Sequence, residues 1–365
     1  MFQFSKYERL NKQIKKIKSK KYKFNNRKKP KLKHYLIRLF ICSIIILLLT
    51  FFIKYRIFKH RTNNIFYSPE YIYCNNCSNN TKKISSKCDR ACPPEVLFEN
   101  LKVASNFDTL DEIIKNNKLI SRYGDGEYRI LLGMRHEFEP ANKELAKRLQ
   151  EVLDSKEKNC LVGIFLPLNK ERKKFISHEA VYWTYIINDM KWRLFKTIKQ
   201  DKQYYSAIIS KFYLAYRNRS SAPKYVEKLK QVWDNRDIVI VEGKNVKFGI
   251  GNDLLNNTKS IKRIICPSHK SFSVYDKIME AVLKFDKNNL ILISLGQTAT
   301  VLSFDLCKLG YQAIDIGHTD RDYEAYVRKA KYYIFKGETK DILGNVTEMN
   351  ETYTKQIVNI ISKAK

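Results

Sequence analysis

The chain has 365 residues, enough for one large domain or two modest ones, and 44% hydrophobic residues, enough for a substantial core. Its net charge of +32 suggests a nucleic-acid partner until the charge is located: residues 1–94 carry 23 Lys and Arg against 3 Asp and Glu, leaving 46 basic and 34 acidic residues for the remainder. Most of the excess is therefore a basic arm, which argues against a nucleic-acid-binding domain.

Residues 1–35 form that arm, with few apolar residues to support a fold. Residues 36–53 are nearly all apolar apart from Arg38, and as a helix they span about 27 Å, close to a bilayer core. Tyr35 and Tyr55 stand where interfacial aromatics belong, and Arg38 is near enough to one end to reach the headgroups. Lys54-Tyr55-Arg56 replaces the small residues of a cleavage site, so the expectation is an uncleaved anchor. The more basic arm then stays cytoplasmic and the C-terminal part lies across the membrane.

Residues 54–94 lack periodicity and read as a stalk. They carry Cys74, Cys77, Cys88 and Cys92, a spacing open to either two disulfides or a zinc site; the expected topology favours disulfides. Cys160, Cys266 and Cys307 sit in apolar runs and read as buried free thiols. Asn-x-Ser/Thr sequons start at Asn76, Asn79, Asn218, Asn256, Asn345 and Asn350, weak support in an Asn-rich chain.

A globular domain is expected over residues 95–340, with a tail at 341–365. Thr109 and Glu112 suggest a capping box opening a helix over 110–116. Residues 119–123 read as a strand, leading into Gly124-Asp125-Gly126-Glu127. If the strand's alternation continues, Asp125 and Glu127 point the same way and can share one Mn²⁺ or Mg²⁺ with phosphate oxygens. A helix follows at 142–154, a buried strand at 160–166, a helix at 177–190 and a strand at 204–213, with Lys211 near its end. After a helix at 223–233, the strand at 237–241 precedes Val241-Glu242-Gly243 and Phe248-Gly249-Ile250-Gly251-Asn252-Asp253, whose glycines let backbone approach an anion. A strand at 261–266, a helix at 272–283 and a strand at 290–295 lead to Ser294-Leu295-Gly296-Gln297-Thr298-Ala299-Thr300. This small, hydroxyl-rich turn before a helix at 300–309 suits a phosphate but lacks the Walker lysine. The last strand, 312–316, ends in Asp315-Ile316-Gly317-His318-Thr319-Asp320, where His318 has the chemistry of a general base or phosphate ligand.

Taken singly, each of these four segments also reads as an ordinary turn or cap. Together they stand at four strand ends. The alternation of strands and helices predicts an α/β domain with a mostly parallel sheet, in which ligands bind beyond the carboxyl ends of the strands.

In this order, Tyr123-Gly124-Asp125-Gly126-Glu127, Val241-Glu242-Gly243, Gly249-Ile250-Gly251-Asn252-Asp253-Leu254, Leu295-Gly296-Gln297-Thr298-Ala299-Thr300 and Gly310-Tyr311-Gln312-Ala313-Ile314-Asp315-Ile316-Gly317-His318 resemble the glycosyltransferases of the GT-D fold over residues 105–330. The resemblance implies a Rossmann-like domain that uses a nucleotide-sugar donor, commonly a UDP-sugar, with a divalent metal on Asp125 and Glu127. Strand-end placement and the resemblance together suggest donor contacts from Arg122, Gly124, Lys211, Gly249, Asn252, Gly296, Thr298 and Thr300, with His318 or Asp320 activating the acceptor hydroxyl or orienting the diphosphate leaving group. Three positions depart from the family pattern: Gln297 replaces a usual proline, Lys211 a common arginine, and Ala325 an aromatic. With the anchor, the expectation is a single-pass type II enzyme facing the Golgi lumen, or alternatively that of the endoplasmic reticulum, with a glycan or glycoprotein acceptor and no nucleic-acid partner. The rival readings are a metal-dependent phosphohydrolase and a non-catalytic, membrane-tethered sugar-binding protein.

Overall fold

Apolar runs flanked by turn residues become the central strands here because they are covered on both faces, whereas the two edge strands are partly exposed. The computed structural model describes residues 94–166, 173–331 and 346–362. Nine parallel strands form one sheet: β1 (Lys102–Val103), β2 (Leu119–Tyr123), β3 (Cys160–Ile164), β4 (Gln203–Ser206), β5 (Asp237–Gly243), β6 (Ser260–Cys266), β7 (Leu290–Ser294), β8 (Gln312–Asp315) and β9 (Ile357–Ile360). Their order is β1-β4-β3-β2-β8-β7-β5-β6-β9. The expected parallel α/β sheet is present.

Besides a single helical turn at Pro94–Leu97, the helices are α1 (Asn106–Lys115), α2 (Asp125–Leu131), α3 (Lys143–Asp154), α4 (Ser177–Thr197), α5 (Ala222–Lys230), α6 (Tyr275–Val282), α7 (Gln297–Lys308), α8 (Thr319–Val327) and α9 (Val346–Gln356). Strand alternation sorts the core. Ile238, Ile240, Leu290 and Leu292 pack with Leu110 of α1, Leu229 of α5 and Tyr323 of α8. Val239, Val241, Ile291 and Ile293 point the other way, onto Ile278 of α6 and Leu302 of α7. Val162 and Ile164 join Leu149 of α3 and Trp183 of α4 on that same side.

The strand order reverses between β2 and β8. From β2 the chain steps outward through β3 to β4, while β8 enters on the opposite side from β7. The carboxyl ends of β2 and β8 therefore border a crevice at a topological switch point, where this class of sheet binds ligands.

Several local expectations change. The first helix starts at Asn106, with Ser105 as its N-cap; Thr109 lies inside it and gives its hydroxyl to the Ser105 carbonyl, so no cap forms at Thr109. The run expected as a strand over 204–213 is a four-residue strand followed by a 3₁₀ turn, Ala207–Ser210. Residues 357–360 pair with β6, so this part of the expected tail belongs to the sheet. Cys160 and Cys307 are joined by a disulfide, with Cα atoms 6.1 Å apart. The free-thiol reading failed for this pair because 147 residues of sequence hide that the start of β3 and the end of α7 are neighbours. Cys266 is the free, buried cysteine among the described residues. The expected span at 36–53 and the cysteines of the stalk lie outside the described residues. Among the described residues, no helix is long and apolar enough to cross a membrane.

Candidate active site

The chain leaves β2 at Tyr123, and Gly124 caps α2 at once. Asp125 and Glu127 are therefore the first and third residues of a helix, and strand alternation does not apply to them. They still meet at one cleft, because a helix N-terminus turns its first residues toward the strand ends. Glu127 folds back so that its carboxylate accepts the Gly124 N–H at 2.7 Å. Burial raises its pKa to about 7, helped by the Asp315 and Asp125 charges and opposed by the Gly124 N–H. Asp125 accepts the Tyr182 hydroxyl at 2.5 Å, and His136 Nε2 lies 3.9 Å from its carboxylate. The other ring nitrogen of His136 is 3.2 Å from Gln297 Nε2.

The cleft has a volume of about 160 Å³, and its walls include Arg122, Gly124, Asp125, Glu127, Lys211, Gly296 and His318. Seven of the twelve residues expected at the site thus converge. Arg122, besides lining the cleft, has a structural role. Its guanidinium donates to the Ala207 carbonyl and Ser210 Oγ, both at 2.7 Å, to Asp315 Oδ1 at 2.8 Å, and to the Asp315 carbonyl. It ties the ends of β2, β4 and β8 together and so holds the cleft's shape. Gly317 must be glycine there: its φ is +55°, and a Cβ would stand 2.2 Å from Arg122 Nη2.

Five expected residues do not line the cleft. Thr298 and Thr300 use their hydroxyls internally, on the Glu139 carboxylate and the Arg122 carbonyl. Asn252 accepts from the Leu254 N–H within its own turn. Gly249, at φ +70°, packs tightly on Leu255. Asp320 is buried in the first turn of α8. The second polar segment is structural for a further reason. Glu242 is fully buried, paired with the equally buried Arg263 at 2.8 Å, and accepts the Phe248 N–H at 2.6 Å.

A family model for the glycosyltransferase GT-D fold matches residues 120–340. The chain belongs to this family. It is 35% identical over 256 residues to glycosyltransferase GlyD of Streptococcus pneumoniae serotype 4 (strain ATCC BAA-334 / TIGR4), covering 69% of this chain and 31% of that protein. It is 34% identical over 238 residues to the probable glycosyl transferase Gly of Streptococcus gordonii, covering 64% of this chain and 34% of that one. The chain thus spans about a third of the length of these curated relatives. Among solved structures, a glycosyltransferase (DUF1792) from Streptococcus sanguinis matches with a TM-score of 0.65 at 30% identity, over 72% of this chain and 100% of that one. Another, described as domain of unknown function 1792 with a distinct glycosyltransferase fold, matches with a TM-score of 0.67 at 32% identity, over 74% and 98% of the two chains.

Three features of this GT-D domain were not legible in its sequence. Tyr182 reaches Asp125 from 57 residues away. His136 and Gln297, 161 residues apart, form one contact, and Gln297 crowds Gly126 so closely that a Cβ there would lie 2.1 Å from its Nε2. Buried Asp322 accepts the N–H groups of Phe212, Tyr213 and Leu214, fixing the loop that carries Lys211. None of these has a local motif.

Asp125 and Glu127 both line the cleft with carboxylate oxygens, the donor type that hard divalent cations take. Among the described residues no cluster of three or more potential ligands forms, so two carboxylates would leave positions for water and phosphate oxygens. Glu127 is buried, which with the Asp315 and Asp125 charges raises its pKa; a bound cation would favour its charged form.

Proposed function

We propose that the domain transfers a sugar from a nucleotide-sugar donor, a UDP-sugar, to a glycan or glycoprotein acceptor, with Mn²⁺ or Mg²⁺ held by Asp125 and Glu127. The observation that carries this reading is the convergence of both carboxylates, Lys211, Gly296 and His318 on one cleft at the switch point between β2 and β8. When bound, the cation would neutralise the charge that builds on the departing diphosphate.

The chain's own groups divide the remaining work. Tyr182 and His136 orient the Asp125 carboxylate. Helix α7 starts directly after Gly296, so its N-terminal N–H groups and dipole favour a phosphate at the cleft. Lys211, 3.8 Å from Glu179, brings a cation to the same wall. A lysine here acts as a point charge without the bidentate fork of the arginine common in the family. In this reading His318, which caps the start of α8 and lines the cleft, takes the acceptor hydroxyl's proton as the new bond forms. Asp320 is buried and is not part of the cleft wall, so His318 is the preferred base.

We also propose that the domain works across a membrane from the basic arm, in a secretory lumen of Golgi or endoplasmic-reticulum type. Support comes from the apolar run at 36–53 and from the Cys160–Cys307 disulfide, which belongs to an oxidising compartment. The named relatives are streptococcal, so the lumenal placement rests on those two observations alone.

A panel of nucleotide-sugars offered to the full chain in detergent tests the activity, read as released nucleoside diphosphate. Turnover of at least one donor, abolished by chelator and restored by Mn²⁺, is expected. Turnover that ignores chelation, or release of inorganic phosphate instead, would overturn it.

A further inference from the structure

A surface helix normally turns charged side chains to water. The N-terminal half of the outward face of α4, formed by His178, Val181, Tyr182 and Tyr185, carries none of Lys, Arg, Asp or Glu; the exposed charges of that face, Asp189 and Arg193, follow beyond Tyr185. Val181 and Tyr182 are each 37% exposed and Tyr185 is 66% exposed, whereas Trp183, Ile186, Ile187 and Met190 on the inner face are buried. Tyr182 and Tyr185 are three residues apart, so they share a face, about 4.5 Å apart along the axis.

This stripe begins at the cleft. Tyr182 donates to Asp125, Trp183 is part of the cleft wall, and Glu179 faces Lys211. The cleft's inner wall is closed by Asp315, which is buried, and by Arg122, whose side chain is 12% exposed. Its open side is where Asp125 and Lys211 reach solvent, with side chains 28% and 42% exposed. An acceptor has to arrive on that side, where α4 lies.

We propose that the Tyr182–Tyr185 stripe is the platform on which the acceptor glycan lies, with its terminal sugar at the cleft mouth. The proposal rests on the sugar-transfer reading of the cleft. Both tyrosine rings offer an apolar face to the C–H face of a sugar ring, and Tyr185 also offers a hydroxyl at its edge to the sugar's own hydroxyls, whereas that of Tyr182 is donated to Asp125. With no charge on the stripe, the favoured occupant is a neutral glycan. An anionic membrane surface would call for Lys and Arg, which the stripe lacks. A stable contact with a second copy needs about 800 Å² per partner, more than these side chains present.

The test uses the full chain in detergent and a panel of neutral oligosaccharides of glucose, galactose and N-acetylglucosamine. Glycan binding is followed by saturation-transfer NMR, and UDP affinity with Mn²⁺ is measured in parallel. Oligosaccharides bound by the wild type are expected to lose about tenfold in affinity in Tyr185→Ala, the size of one ring contact, and to be retained by Tyr185→Trp, with UDP affinity unaltered in both. If UDP binds but no neutral glycan does, or if Tyr185→Ala binds glycans like the wild type, the platform is wrong. Loss of self-association in Tyr185→Ala with unaltered glycan binding would assign the stripe to a second copy instead. Failure of the wild type to bind UDP with Mn²⁺ would instead remove the sugar-transfer reading itself.

Discussion

Gly317 shows how tightly single residues set the cleft. Its positive φ already favours glycine, and the atom a Cβ would strike, Arg122 Nη2, is pinned by Asp315 and cannot yield. Gly317→Ala is expected to lose about 2 kcal/mol of stability, seen as a lowered denaturation midpoint, together with loss of donor turnover. Gly126→Ala meets only the movable end of Gln297 and should be milder. Glu127 gives a second residue-scale expectation. Its pKa is raised to about 7, so near neutrality its carboxyl is partly protonated, and a cation must displace that proton. Mn²⁺ affinity should therefore fall as pH drops below 7 and level off above it. Calorimetry in two buffers of different ionisation enthalpy should show about half a proton released per cation bound at pH 7, falling towards none at higher pH. The residue types of the pair were legible in the sequence, but their geometry was not. The glycine that looked like a turn is a helix N-cap, and the carboxylates meet through helix geometry and long-range partners such as Tyr182.

Among the elements, the strands with strong apolar periodicity were the most legible. Leu119–Tyr123 was predicted residue for residue, and the runs around β5, β6, β7 and β8 shifted only at their ends. What escaped was set by tertiary contact. The two-residue β1 exists by pairing with β4, and α2 has too few apolar residues to announce itself. The Cys160–Cys307 bridge joins two elements that the sequence read separately, fastening the start of β3 to the end of α7. Opening this loop by Cys160→Ser or Cys307→Ser is expected to cost about 2–5 kcal/mol in chemical denaturation. Alkylation of unreduced protein should leave both cysteines unmodified. Modification of both without reductant would show that they are thiols and remove the disulfide as support for a lumenal placement.

For the whole molecule, alternating strands and helices were enough to predict a parallel α/β sheet and a ligand site at its carboxyl rim. Strand order was not legible, because no local pattern records that β8 inserts beside β2. That insertion creates the switch-point crevice and gathers Asp125, Glu127, Lys211, Gly296 and His318 from four stretches of chain. The Val241–Gly251 segment looked equally promising in sequence. It became the buried Glu242–Arg263 clamp because β5 lies beyond β7, away from the switch point. The central claim is that this crevice binds a nucleotide donor through a cation on the acidic pair. Its most direct test is calorimetric UDP binding by the full chain, with and without Mn²⁺, in the wild type and in Asp125→Asn. Binding is expected to require Mn²⁺ and to fall by about 100-fold or more in Asp125→Asn. Equal UDP affinity in the two proteins, or binding indifferent to the cation, would contradict it.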